Sequence, residues 1–440
     1  MTLNDKIAQA LDHLKKRDVS FFEVFALGTD VIRAEAKEGK VHSLERAYEA
    51  GLSIRVLLEG ALGFAYGREA NAELIEAAIV SARHQFKDKH NHIPDVRAAY
   101  QVLDIFDARI AGSSPDKCIA KAVELEAAAK EYDQKVQQIR KASFSRGIAE
   151  LRIVNSSGID VAGKSTSCTA SIMVKAREHD DMQAGYEFDI SHDWAGIDVQ
   201  EVGRNAARKA IAMLGARQIH TMRIPVAFDN ASTAELLEIL AQAFHGENVL
   251  KGKSYLKNKL GKQCFSRTIS LVDNPLDTRA SDAMSFDGEG IPSRRTVLVE
   301  NGIVRSFVYD SYWGAVASKS STGNSIRGSY RSTPTLGLRH LCLIPGEHIA
   351  QPLREMRKLL KITDIMGLHT ADPISGEFSV GVNGFLFERG AELFPVREAA
   401  IAGNIYEMFS HVLAVGNDVR GFGRVSAPSL LVDAMDISSK

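Results

Sequence analysis

The turn-forming residues of this 440-residue chain are unevenly divided, and the division limits what each part can build. Nine of the 11 prolines and more than half of the 34 glycines lie beyond residue 220. Proline removes a backbone donor and glycine admits left-handed turns, so a segment dense in both is confined to short elements. β-type runs at Thr296–Val299, Ile303–Val308 and Phe378–Val382 fall between those breaks. After the helix that opens this region, only Gln351–Leu360 and Ile405–Val415 carry long helical patterns. Residues 219–440 are therefore expected to form a β-rich domain.

The first half reads differently. Leu3, Ile7, Leu11 and Leu14 recur at helical spacing and predict a helix ending near Arg17-Asp18. Phe21–Leu27 and Val31–Ala36 look extended, and Ala50–Leu58 and Ala61–Tyr66 flank Glu59-Gly60 as a hairpin. A helix over Asn71–Phe86 follows. Ser113-Ser114-Pro115-Asp116 then opens a second cycle, with a helix to about Tyr132. Strands come next at Ile139–Phe144, Ala149–Asn155, Ile159–Lys164 and Ser167–Ala176, turning at Asn155-Ser156-Ser157-Gly158, and a helix over Val199–Leu214 closes the cycle. The expected fold class is α+β: two N-terminal helix-and-sheet units, at 1–112 and 113–218, then the β-rich C-terminal domain. The letters of the two cycles match too weakly to read as a repeat.

Composition excludes some functions. With 54 basic against 55 acidic residues the net charge is -1, which leaves no overall electrostatic footprint for direct nucleic-acid binding. No stretch is apolar enough to span a bilayer or serve as a leader, so a cytoplasmic protein without membrane contact is expected. Cys118, Cys168, Cys264 and Cys342 form no C-x-x-C pair and are expected to be reduced.

Local motifs give little chemistry. Gly252-Lys253-Ser254 ends like a phosphate-binding loop, but the position that should be the first glycine is Glu247, whose carboxylate repels phosphate. His90 and His92 share a face if extended, with no third ligand nearby in sequence. His245, His369 and His411 read as satisfied or surface histidines, and Ser167 and Ser325 lack a nucleophile elbow. Arg177-Glu178-His179-Asp180-Asp181 reads as a solvated loop.

One set of spaced motifs carries more. The run Ser281-Asp282-Ala283-Met284-Ser285-Phe286-Asp287-Gly288-Glu289-Gly290-Ile291-Pro292 precedes Leu298-Val299-Glu300-Asn301-Gly302-Ile303-Val304. With Ser321-Thr322-Gly323-Asn324, Ala402-Gly403-Asn404 and Val415-Gly416-Asn417-Asp418 they resemble the TldD/PmbA family of peptide-processing metalloproteases. Catalytic members of that family hold zinc with a helical His-Glu-x-x-x-His motif and a cysteine near the C-terminus. By resemblance, that helix is Thr233–Phe244, after a strand at Ile224–Phe228 and the turn Asp229-Asn230-Ala231-Ser232. The trailing Lys251-Gly252-Lys253-Ser254 and Gly261-Lys262-Gln263 match the family's stretch. Counting back puts Leu237, Glu238 and Gln242 on the His, Glu and His positions.

Zinc takes imidazole, thiolate or carboxylate lone pairs, commonly three from the protein. Leu237 offers none and Gln242 only a neutral carbonyl. Residues five apart on an ideal helix sit about 140° apart, so the family motif needs a locally widened turn. No histidine lies between His220 and His245, and no cysteine lies between Val415 and Pro428. The resemblance is thus to the PmbA/TldE-like branch. It implies no catalytic residue beyond a vestigial Glu238 and no metal or cofactor in this chain, with zinc only in a TldD-like partner. The implied role is that of a non-catalytic subunit of a peptide-processing complex, paired with that partner or with itself. An open sheet edge in the β-rich domain is expected to hold an extended peptide by strand addition. Two alternatives stay open: an active metallopeptidase that uses unrecognised ligands and inherits Glu238, and a regulator of DNA gyrase.

Overall fold

The computed structural model describes residues 2–95, 99–346 and 349–439. In the first half the order is α1 (Leu3–Lys16), β1 (Phe22–Lys37), β2 (Lys40–Leu58), β3 (Ala61–Gly67), α2 (Ala72–Arg83), α3 (Ala108–Ala111), α4 (Pro115–Lys130), β4 (Val136–Asn155), β5 (Asp160–Glu178), β6 (Asp181–Ser191) and α5 (Val199–Ala212). The two cycles share one antiparallel sheet, in the order β3-β2-β1-β4-β5-β6, with β1 and β4 joining them. Strands expected as separate pieces are continuous. Gly28, which reads as a break, sits mid-strand in β1, paired with Ala50 on one side and Glu150 on the other.

The cycles are related in space although their letters have diverged. α1 and α2 cover one half of the sheet through Ile7, Leu14, Leu52, Ile54, Ile75 and Ala78. α4 and α5 cover the other through Leu125, Phe144, Ile172, Val202 and Ala206. Each half keeps one glycine where a helix backbone lies on a strand. A Cβ on Gly63 would lie 2.0 Å from the Ala78 carbonyl oxygen, and one on Gly185 would lie 2.1 Å from that of Ala206. The Glu59-Gly60 hairpin forms as expected, with both residues at positive φ (49° and 86°), the geometry that matches strand twist in a two-residue turn.

The second half contains β7 (Met222–Phe228), α6 (Asn230–Ala241), α7 (Gly246–Leu250), β8 (Leu271–Asp273), β9 (Thr296–Glu300), β10 (Ile303–Val304), α8 (Ser311–Val316), β11 (Ser325–Ile326), β12 (Thr335–Leu336) and β13 (Leu341–Leu343). It continues with α9 (Ala350–Glu355), β14 (Lys358–Met366), β15 (Glu377–Glu388), β16 (Ala391–Asn404), α10 (Ile405–Ser410), β17 (Val412–Val415), β18 (Arg420–Phe422), β19 (Val425–Ala427) and β20 (Leu430–Ser439). One sheet runs β10-β9-β8-β13-β19-β18. The other runs β16-β15-β14-β7-β20-β17, and because β16 also pairs with β20, five of its strands close on themselves. α6 packs into the large core of this half.

Two helices expected here are cut short. α9 ends at Glu355, Met356 turns extended (ψ 127°), and Leu360 and Ile362 pair with Val226 and Phe228. α10 ends at Ser410, after which Val412–Val415 pairs with β20. In both cases a non-local strand partner overrides a short apolar run that fits helix and strand periodicity alike. Of Ile303–Val308, only Ile303 and Val304 are in the ladder. Among the described residues no helix is long and apolar enough to cross a membrane.

The two halves meet at an apolar joint, where Phe25, Ile153 and Val161 contact Phe286 and Tyr330. Beside it lies a buried ion network. Arg55 bonds Glu23 (2.5 Å) and Glu289 (3.3 Å), and Arg327 bonds the other Glu23 oxygen.

Candidate functional site

The helix singled out by the sequence is α6, and its start and end are set by local chemistry. Asp229, at the end of β7, accepts the Ser232 N–H at 2.8 Å and caps the helix, which therefore begins at Asn230 rather than Thr233. Leu236, Leu237 and Leu240 form its inner face and are fully buried. Glu235 and Glu238, three residues apart, lie on the outer face, and so does Gln242, each carboxyl partly sheltered by the groove they line. After Ala241 the chain tightens into a 3₁₀ turn over Gln242–Phe244. The family motif calls for a widened turn between positions 237 and 242, and the structure has regular α-helix there to Ala241, followed by a tightened turn.

A groove of about 560 Å³ runs along the outer face, lined by Glu235, Glu238, Gln242, Leu368 and His369. Partial burial, reinforced by the nearby carboxylates of Asp364, Asp229 and Glu238, pushes the Glu235 carboxyl up to about 7. Burial also raises Glu238, against the opposing pull of the Arg424 cation. Arg424 in turn is held by Asp282, Nε to Oδ2 at 2.9 Å. The residues on this helix do not fit zinc. Leu237 is locked in the core, Gln242 opens the tightened turn, and the positive charge acting on Glu238 comes from an arginine. Among the described residues, Glu235, Glu238 and His369 do not meet at metal-ligand distance. Glu235 was not among the residues singled out in the sequence; its i, i+3 spacing from Glu238 is the one signal the letters carry for it.

The other residues singled out have structural partners. His90 bonds Asp88 at 2.8 Å, and His92 meets the His90 carbonyl, so the two do not converge on a ligand. Gly252 takes a positive φ just after α7, and Ser254 donates to the Ala243 carbonyl, so the phosphate-loop-like triplet is a helix end. His245 is the residue before α7, held below the usual histidine range by burial. His411 follows α10, with its ring facing the Glu407 carbonyl. Asp181, the first residue of β6, accepts the Gly215 N–H from beyond α5.

The motifs that carry the resemblance prove to be joints. Asp287 accepts the backbone N–H groups of Glu289, Ile291 and Ser325, and Glu289 bonds Arg55 and Ser311. Asn324 links Thr322 to Asp273, Asn404 caps α10, and Asp418 holds the Ser429 N–H.

Comparison with known proteins agrees along the chain. Models of PmbA/TldA metallopeptidase domain 1, central domain and C-terminal domain match residues 22–84, 109–214 and 221–439. The metalloprotease PmbA of Escherichia coli O157:H7 is 28% identical, over 95% of this chain and 92% of that protein. A Thermotoga maritima protein named for modulation of a DNA gyrase superposes with a TM-score of 0.91 at 25% identity, over 99% of this chain and all of its own. TldE from Thermococcus kodakarensis shares the fold with a TM-score of 0.90 at 23% identity, over 98% of this chain and all of its own.

Proposed function

The chain belongs to the PmbA/TldD metallopeptidase family, and from that premise we propose that it is the non-catalytic subunit of a two-chain peptidase that processes unfolded or modified peptides. The observation that carries this reading is the helix at the family's zinc position. Its first ligand position is the buried Leu237 and its second is Gln242 in a tightened turn, so three lone-pair donors cannot converge there. Glu238 then has no metal-bound water to act on and is a vestige. The catalytic zinc belongs to the partner, a TldD-like chain with an intact His-Glu-x-x-x-His helix.

Assembly draws support from the first sheet. Among the described residues β3 pairs with Leu52–Leu58 of β2, and no strand pairs with the outer edge of the first half of β2. Val41, Leu44 and Tyr48 on that stretch are exposed, Tyr48 to 74%. An open strand edge with apolar side chains is a surface that proteins ordinarily cover. A partner of the same fold, or a second copy of this chain, would cover it. Direct DNA binding draws no support from a net charge of -1.

Native affinity purification tests the proposal. The expected result is a co-purifying family member that carries the His-Glu-x-x-x-His motif, with peptide hydrolysis in the pair and none in this chain supplied with zinc alone. Hydrolysis by the isolated chain that disappears in Glu238→Gln would overturn it.

A further inference from the structure

A second cluster of donors lies on elements other than α6, on residues that the proposed function does not use. The turn after β8 and the start of β13 bring Asp277, His340 and Cys342 together, so that one donor atom from each lies within 4.8 Å of the other two. The frame holding them is well tied. The Asp273 carboxylate accepts the backbone N–H groups of Arg339 (2.9 Å) and His340 (2.8 Å), and the Asn274 N–H meets the His340 carbonyl. Cys342 sits in β13 between Val272 and Ser426 of the flanking strands.

His340 is the second observation. Its side chain is fully buried; Nε2 shares a hydrogen bond of 2.8 Å with the Ser426 hydroxyl, while Nδ1 is buried with no partner among the described residues. A buried polar nitrogen left unpaired costs free energy. An imidazole with one nitrogen tied by a hydroxyl and the other free is also how a metal-ligating histidine is oriented. The Asp277 carboxylate bonds Arg279, whose side chain is 73% exposed and so has room to swing aside.

We propose that Asp277, His340 and Cys342 bind one zinc-class divalent ion, with the fourth position left to water. One carboxylate, one imidazole and one thiolate suit a borderline-soft cation in tetrahedral geometry, whereas calcium and magnesium demand oxygen ligands. On binding, the Cys342 thiol gives its proton to solvent and the metal–sulfur bond forms. The ion ties the turn that leads into the 281–292 segment to β13.

Titration of the chelator-stripped full-length chain with Co²⁺ tests this, since a bound thiolate gives a near-ultraviolet charge-transfer band that Zn²⁺ abolishes by displacement. One equivalent is expected. The band should vanish in Cys342→Ser, and Asp277→Asn, on a half-buried turn, should bind roughly tenfold or more weaker. Cys264→Ser and Glu238→Gln should bind like the parent. No band in the folded parent chain, or one that survives Cys342→Ser, overturns the proposal. The outcome is separable from the subunit reading, which turns on peptide hydrolysis: one equivalent of cobalt bound without the thiolate band and lost in Glu238→Gln would place the metal on α6, which has no cysteine, and contradict both.

Discussion

Asp310 combines a local duty with an electrostatic cost. Its carboxylate accepts the Trp313 N–H at 2.8 Å and caps α8, yet burial, and then the neighbouring Glu289, push its pKa up to about 6 from 3.8. An acid raised in the folded state holds its proton there at pH values where the unfolded chain has released it. Stability from this group therefore falls as pH rises from roughly 4 to about 6. Asn caps as well as Asp, so Asp310→Asn should keep the helix start and remove that fall. Thermal melts across this range should show the melting temperature of the variant overtaking that of the parent as pH rises; parallel curves would contradict the assignment. Residue identity alone excluded Leu237 as a ligand. The raised Glu235 carboxyl was out of reach, because the largest cause of the rise is burial and the next is Asp364, a distant residue, and both exist only in the fold.

At the level of elements, legibility followed contact range. α1 and α5 were readable because an amphipathic stripe states its own period. The segments after Glu355 and Ser410 were not, because β7 and β20 decide their conformation from far away in the chain. The internal symmetry of the first half was hidden for a related reason. What the two cycles must share is a close approach of helix to strand, and that requires only a glycine opposite small residues. Gly185→Ala would press a methyl group against the backbone of α5, and a loss of about 1–3 kcal/mol in urea unfolding is expected. An unchanged midpoint would mean that the helix shifts freely. α6 has the opposite vulnerability. Leu237→Ala leaves a cavity in the core and should cost about 2–5 kcal/mol, a loss that a metal-ligating surface position would not show.

For the whole molecule, the family motifs mark where the halves are joined. Burial alone would raise the Glu23 carboxyl, but the Arg327 and Arg55 guanidinium groups hold it below its usual range. Removing one cation, as in Arg327→Met, leaves buried negative charge short of a partner and should cost about 3–5 kcal/mol by chemical unfolding. A neutral effect would mean that Arg55 alone satisfies Glu23. That the run Ser281–Pro292 is important was legible in its letters; that Asp287 and Glu289 are fasteners needed their partners in β2, α8 and β11. The central claim is that this chain serves a peptidase without performing its chemistry. The most direct measurement is peptide hydrolysis by the complex of this chain with a zinc-bearing TldD-like member, compared with the same complex carrying Glu238→Gln. The two rates should be indistinguishable. A loss of roughly 10²-fold or more, the scale of a missing general base, would make this chain catalytic.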